Sequence, residues 1–182
     1  MCYDETARFA RSLPHFRGKW QVVDHLHRAL LSWCGAGDDL RTVRMQAGSR
    51  MTWNVRDPDE GRAVWLGIWD DDLRNAIFAR LAPGAVVLDI GASVGAWTVP
   101  MARRLRAAGR VYAFEPVPEN RARLEQAVDA NALDNVLILP LALGDGSREV
   151  DRWLRWSQTG PNPGTTSCWR TPTTAPPCSP PA

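Results

Sequence analysis

The chain has 182 residues, of which 45% are hydrophobic and 23% charged, and its formal net charge at pH 7 is +2. This composition is typical of a single soluble domain with a hydrophobic core, and it offers no clustered basic face for nucleic acid. No apolar run approaches the roughly 18 residues of a membrane span, and the N-terminus lacks the pattern of a signal peptide. We therefore expect a cytoplasmic protein with no nucleic-acid or membrane partner.

The cysteines and histidines form no pattern that indicates a metal site. The four cysteines lie far apart in the chain: Cys2, Cys34, Cys168 and Cys178. Without a Cys-x-x-Cys spacing they suggest free thiols. His25 and His27 are two positions apart, which places them on different faces of a helix. Together with His15 they are expected to be ordinary surface or capping residues.

Residues 1–69 are predicted to form an extension that precedes the main domain. Apolar positions at helical spacing between 6 and 33 predict two helical pieces, interrupted around 14–18 where a proline and a glycine occur. Residues 42–45 and 51–55 are expected to pair as a β-hairpin.

A turn cluster at 56–61 is expected to lead into a third strand at 63–68. Asp70 or Asp71 then has the character of a helix N-cap. Apolar residues follow at helical spacing until Pro83 and the next glycine stop the helix.

A short apolar run at 86–90 predicts a buried strand, because it is rich in β-branched residues and ends at Gly91. Gly91 lets the chain leave the strand sharply. Gly95 is expected to let a ligand approach the backbone where the next helix begins and its N–H groups have no partners.

A second buried strand at 110–114 ends in Glu115. In an open parallel sheet this carboxylate would face the same crevice as the glycine loop and could accept both ribose hydroxyls of a nucleoside. The Asp-x-Gly-x-x-x-Gly spacing differs from that of dinucleotide-binding turns. Asp89 would repel a pyrophosphate, but it suits a ligand with an ammonium and a sulfonium group, as in S-adenosylmethionine.

Three further elements are expected after the glycine loop. A helix at 96–108 tolerates Pro100 best if Thr98 is its N-cap, because the proline then lies in the first turn. A second helix is predicted at 119–132, and a third buried strand at 136–143.

The motif residues resemble a known family. The string from Asp89 to Gly95, followed by Glu115 and the Pro-Val-Pro-Glu-Asn continuation, is similar to the FkbM-type S-adenosylmethionine-dependent methyltransferases. The resemblance covers about residues 66–150. It implies a Rossmann-like α/β fold and transfer of a methyl group to a small-molecule hydroxyl acceptor, such as a sugar or another metabolite. No residue is assigned as the catalytic base.

The resemblance also implies a set of cofactor-binding residues. These are Asp89, Gly91, Ala92, Ser93, Gly95, Glu115 and Asp145. Asp145 is placed where the adenine amino group would lie in such a fold, but the favoured interpretation is a simple turn residue. Ser93 stands where the family more often has asparagine, and it keeps a hydroxyl in place of the amide.

The sequence predicts three segments: the extension (1–69), a partial S-adenosylmethionine-binding domain (70–151) that stops after its third core strand, and a disordered tail (152–182). The tail is rich in proline and threonine and has no acidic residue, a composition that a GC-rich gene read out of frame would produce. We expect no strands in it and little activity from the chain alone.

A non-catalytic nucleoside-binding remnant or interaction module is the alternative, and an NAD-dependent oxidoreductase fits the glycine spacing less well.

Overall fold

The computed structural model describes residues 3–14, 16–34 and 39–144, and the backbone of 151–153 and 168–170. The chain divides into two units, Met1–Leu143 and Gly144–Ala182. The first unit contains every described helix and five of the seven described strands. In the described residues, no helix is both long enough and apolar enough to cross a membrane.

The first unit begins with two helices and a hairpin, as the sequence predicted. These are α1 (Tyr3–Ser12), α2 (Lys19–Cys34), β1 (Leu40–Arg44) and β2 (Arg50–Asn54). The two strands are antiparallel, with Thr42 opposite Thr52 at the centre of the ladder. Gly48 forms the turn with φ +84°, a backbone conformation that favours glycine.

A helix, α3 (Pro58–Leu66), occupies the segment where the sequence predicted a turn and a strand. The Asp57 carboxylate caps it, accepting hydrogen bonds from the backbone N–H groups of Asp59 and Glu60 at 2.9 Å each. Gly67 ends it in the left-handed conformation, φ +70°. The prediction of a strand at 63–68 was wrong, because the capping signals on both sides of these apolar residues decide in favour of a helix.

Three aromatic rings from α1, α2 and α3 form the centre of the N-terminal core. Tyr3, His27 and Trp65 are buried and meet edge to face, with ring centroids 5.5–6.1 Å apart. The Tyr3 hydroxyl lies 2.7 Å from His27 Nδ1. Burial raises the pKa of Tyr3 to about 12 and lowers the pKa of His27, so both are neutral at pH 7. The prediction of a surface residue was therefore wrong for His27; His25 is exposed, and His15 lies outside the described residues.

Helix α4 (Asp71–Phe78) follows and is shorter than the sequence predicted. Asp70 occupies the N-cap position but its side chain makes no capping hydrogen bond, and its φ is +43°. Asp71 instead accepts a hydrogen bond from the backbone N–H of Trp69 at 3.1 Å and forms an ion pair with Arg74. The Asp71 carboxylate thus stabilises the start of this helix, in place of a capping side chain at Asp70.

A three-stranded parallel sheet is the centre of the second half of this unit. It consists of β3 (Val86–Ile90), β4 (Arg110–Phe114) and β5 (Val136–Leu139), in the order β3-β4-β5. Helix α5 (Thr98–Leu105) and a 3-10 turn (Arg106–Ala108) connect β3 to β4, and helix α6 (Pro118–Ala130) connects β4 to β5. This alternation confirms the predicted Rossmann-like α/β fold.

The sheet's bounds agree with the sequence except at β5. The first two strands begin and end as predicted, and Val87, Val111 and Val136 lie side by side across the sheet. β5 ends at Leu139 rather than at residue 143, because Pro140 follows and a proline has no N–H to continue the ladder. Helix α5 begins at Thr98, so Pro100 lies in the first turn as expected. The N-cap position is occupied by Trp97, and the prediction that Thr98 is the cap was therefore wrong.

The extension packs directly against α6. Arg123 forms an ion pair with Glu60 at 2.5 Å and donates to the Thr52 carbonyl at 3.0 Å. The Asn131 side chain exchanges two hydrogen bonds with the Arg50 backbone, at 2.8 and 2.7 Å. One hydrophobic cluster includes residues of the extension together with Val94, Val99 and Ala127. The domain boundary that the sequence predicted at residue 69 stays a prediction, but the contacts across it are extensive.

The second unit contains one described ladder. β6 (Asp151–Trp153) and β7 (Cys168–Arg170) pair antiparallel, with Arg152 opposite Trp169. The prediction that residues 152–182 supply no strands was therefore wrong for 152–153 and 168–170, where Trp153 and Trp169 are of a residue type that favours strands. The predictions for Asp145 and for the rest of the tail fall outside the described residues.

Candidate functional site

The loop between β3 and α5 is shaped by three residues with positive φ. Gly91, Ser93 and Gly95 have φ values of +80°, +49° and +91°. The backbone N–H groups of Gly91 and Ala92 both donate to the Phe114 carbonyl, at 2.9 and 3.0 Å. The loop is therefore attached to the end of β4, the position that the sequence predicted for the crevice.

Glu115 is the side chain that joins the two strand ends. Its Oε2 accepts the Ser93 backbone N–H and its Oε1 accepts the Val117 backbone N–H, each at 2.8 Å. The residue is only 4% exposed. Each carboxylate oxygen keeps one further acceptor position, so the group can still receive hydrogen bonds from a ligand. Sequence reasoning placed Glu115 beside the loop but did not foresee that it holds the loop in place.

The two glycines have different roles. A Cβ atom at Gly91 would meet no described atom within 4 Å, so this position is open and its glycine is required by the backbone conformation alone. A Cβ atom at Gly95 would lie 2.7 Å from Leu124 Cδ1 of α6. The missing side chain of Gly95 therefore leaves room for the buried Leu124. The role that the sequence suggested for Gly95, the approach of a ligand to its backbone, stays a prediction.

Asp89 lies on the face of β3 that α5 covers. Its Oδ2 accepts a hydrogen bond from the Thr98 hydroxyl at 2.5 Å, and the Thr98 backbone N–H is a further donor to the carboxylate. Burial raises the pKa of Asp89, and the nearby Glu115 raises it further, whereas the two Thr98 hydrogen bonds lower it. Two carboxylates, those of Asp89 and Glu115, therefore flank the loop.

The remaining predicted residues divide between the loop surface and the core. Ser93 is exposed, whereas Ala92 is buried against Ala113 and Leu124. Sequence reasoning considered Thr98 only as a helix cap, and its contact with Asp89 could have been suspected because both residues flank the glycine turn. In the described residues, no group of three or more His, Cys, Asp or Glu side chains is placed to bind a metal ion.

Comparison with known proteins relates the site to a family. Residues 89–174 match the family model of the methyltransferase FkbM domain. The match begins at residue 89 and continues past residue 150, whereas the resemblance seen in the sequence covered about residues 66–150. The chain is 36% identical over 91 residues to the AMB antimetabolite synthetase AmbE of Pseudomonas aeruginosa, a stretch that is 50% of this chain and 4% of that protein.

Two solved structures resemble part of the chain. Against M. jannaschii TYW2 in complex with AdoMet the TM-score is 0.44 at 23% identity, covering 58% of this chain and 44% of that one. Against Trm5b from Pyrococcus abyssi it is 0.41 at 23% identity, covering 59% and 28%. The chain thus spans less than half the length of these proteins. The part of the chain that matches the methyltransferase FkbM domain, residues 89–174, begins at Asp89 and includes the glycine loop and Glu115.

Proposed function

We propose that the glycine loop and Glu115 bind S-adenosylmethionine, and that the protein transfers its methyl group to a hydroxyl of a sugar or another small metabolite. The contact between Glu115 and the Ser93 backbone carries the proposal. It brings a buried carboxylate at the end of β4 to the turn after β3, where nucleosides are held in open α/β sheets.

The residues of the site fit this cofactor. Gly91 leaves open space on the outer side of the loop, so that a ligand can approach the backbone there. Glu115 offers its two remaining acceptor positions to the ribose hydroxyls. Asp89 and Glu115 supply negative charge for the ammonium and sulfonium groups.

The bound cofactor supplies an activated methyl group. The task of the protein is then to hold the acceptor oxygen in line with that group, because positioning provides much of the rate enhancement in such a displacement. Glu115 and the loop orient one side of this arrangement. No residue of the chain is proposed as the base that deprotonates the acceptor.

One observation favours a second candidate, a nucleoside-binding or interaction module without catalysis. Both Glu115 oxygens already accept a backbone N–H, and the residue is almost fully buried. This is the arrangement expected if Glu115 only stabilises the loop. The two candidates differ in what happens to affinity and turnover when Glu115 is changed.

Calorimetry of the full chain with S-adenosylmethionine, its demethylated product and NAD tests the proposal. We expect binding of the first two and not of NAD. Glu115→Ala should weaken binding by roughly 1.5–3 kcal/mol, the value of lost hydrogen bonds to a charged acceptor. Glu125→Gln, on an exposed position of α6, is the matched control and should bind like the wild type.

Transfer of a tritiated methyl group to a panel of sugars and small alcohols separates the two candidates. Turnover supports the methyltransferase, whereas cofactor binding without turnover on any acceptor supports the non-catalytic module. A preference for NAD, or an affinity that Glu115→Ala leaves unchanged in a folded protein, contradicts the proposal.

A further inference from the structure

Thr98 is a fully buried polar residue at the start of α5, directly beneath the glycine loop. It has no exposed surface, and its hydroxyl donates to Asp89 Oδ2 at 2.5 Å. Its backbone N–H is a second donor to the same carboxylate. Thr98 thus supplies two hydrogen bonds to the Asp89 carboxylate, which lies in β3 just before the loop.

Asp89 has no positively charged partner in the described part of the chain. None of the ion pairs there includes it. The charged group that acts on it is Glu115, a like charge that follows the end of β4. Buried carboxylates without a cation remain ionised only when hydrogen-bond donors stabilise the charge, and Thr98 supplies such donors to Asp89.

We propose that Thr98 is a positioning residue for the cofactor: its hydroxyl fixes the Asp89 carboxylate and stabilises its ionised form, so that a negative charge is presented to the cationic ligand beside the loop. The identity of the ligand rests on the proposed function above. The effect on Asp89 itself does not, because it concerns only the free protein.

The proposal predicts how the affinity for the cationic ligand changes with pH. A cationic ligand binds the ionised form of Asp89 best, so its affinity falls when acid protonates this group. Without the Thr98 hydroxyl the carboxylate keeps one donor, while burial and Glu115 still favour the protonated form. Its protonation, and with it the loss of affinity, should then occur at a higher pH.

The first experiment measures the Asp89 carboxyl signal by NMR in the free full-length chain between pH 4 and 8. Thr98→Val, which removes the hydroxyl and keeps the shape, should move the titration midpoint of Asp89 upward. Thr98→Ser keeps the donor and should leave the midpoint close to that of the wild type. Thr42→Val, at an exposed position of β1, is the control for loss of a threonine hydroxyl.

The second experiment measures S-adenosylmethionine affinity of the same proteins over the same pH range by calorimetry. Thr98→Val should bind several-fold more weakly near pH 6 and recover toward the wild-type affinity at higher pH, whereas a purely structural defect would lower affinity equally at every pH. If Thr98→Val does not fold, Thr98→Ala takes its place, and circular dichroism verifies the fold.

An Asp89 midpoint that is the same in the wild type and in the folded variant overturns the proposal, whatever the ligand does. If the midpoint moves but the wild type binds no S-adenosylmethionine at any pH, the proposed function fails and the role of Thr98 in holding the charge stands.

Discussion

The two faces of the parallel sheet differ although all three strands are strongly apolar. On one face, Val111 and Ala113 have no exposed surface and pack against α5 and α6. On the other face, Val86, Leu88 and Ile90 are 64%, 58% and 61% exposed. None of the described residues covers them. An apolar strand sequence therefore indicates a sheet, but it does not tell which face is covered.

The difference has a direct consequence for the functional loop. Asp89 alternates with Leu88 and Ile90 along β3, so it points to the covered face, where Thr98 meets it. Gly95 faces the same side and meets Leu124. The geometry of the loop thus depends on the covered face, and changes there should have larger effects than changes on the exposed face.

The largest expected effect comes from truncating a leucine on the covered side. Leu124 is fully buried in the cluster with Ala92 and Ala113, so Leu124→Ala should lower the free energy of unfolding by about 2–5 kcal/mol. Leu88→Ala, on the exposed face, should change it by about 0.5 kcal/mol or less. Urea denaturation of both variants measures the contrast. Equal losses would mean that something covers the face of Leu88 in solution.

The next-largest effect is a difference in unfolding free energy between alanine variants of the two loop glycines. Gly91→Ala should cost about 1–2 kcal/mol of unfolding free energy, because alanine is strained at φ +80° but has space for its Cβ. Gly95→Ala carries a similar strain and also pushes its Cβ against Leu124, which should add about 1–3 kcal/mol.

Thermal and urea unfolding of the two alanine variants measure this contrast. Leu124→Ala provides the control background: in it, Gly95→Ala should cost less unfolding free energy than in the wild type, since the atom that the new Cβ meets is gone. Similar stabilities of Gly91→Ala and Gly95→Ala would contradict the packing role of Gly95.

The smallest effect concerns the one charged residue of β3. Because the pKa of Asp89 is raised above its ordinary value near 3.8, the folded protein holds this proton more tightly than the unfolded chain does. The protonated Asp89 side chain therefore contributes to the free energy of unfolding at pH values below its ordinary pKa. This contribution is lost as the pH rises through the pKa of Asp89 in the folded protein. Asp89→Asn removes this dependence and should be most stabilising, relative to the wild type, near neutral pH.

Unfolding free energies of wild type and Asp89→Asn between pH 4 and 8 check this prediction. Asp129→Asn, on an exposed position of α6, provides the comparison for loss of a carboxylate. A difference between wild type and Asp89→Asn that shrinks as the pH rises would show that the charge at position 89 is favoured by folding.

Much of the site could be predicted because its signals are local. The bounds of β3 and β4 follow from short β-branched runs that end at Gly91 and Glu115. The parallel order of the two strands then brings their ends together. Helix α3 was missed although its signals are also local, since Asp57, Pro58 and Gly67 mark both of its ends; the apolar residues between them were given too much weight.

The sequence by itself determined the strand-loop-strand unit, the position of Glu115 beside the loop and the resemblance to a methyltransferase family, because each depends on residue types at short spacing. The tertiary structure decided which sheet face is covered, that Gly95 faces Leu124 and that Thr98 holds Asp89. It also decided that His27 is buried against Tyr3 and not exposed. These features arise where separate elements pack together, and such contacts follow from the shapes of the packed surfaces, which no local pattern of residues records.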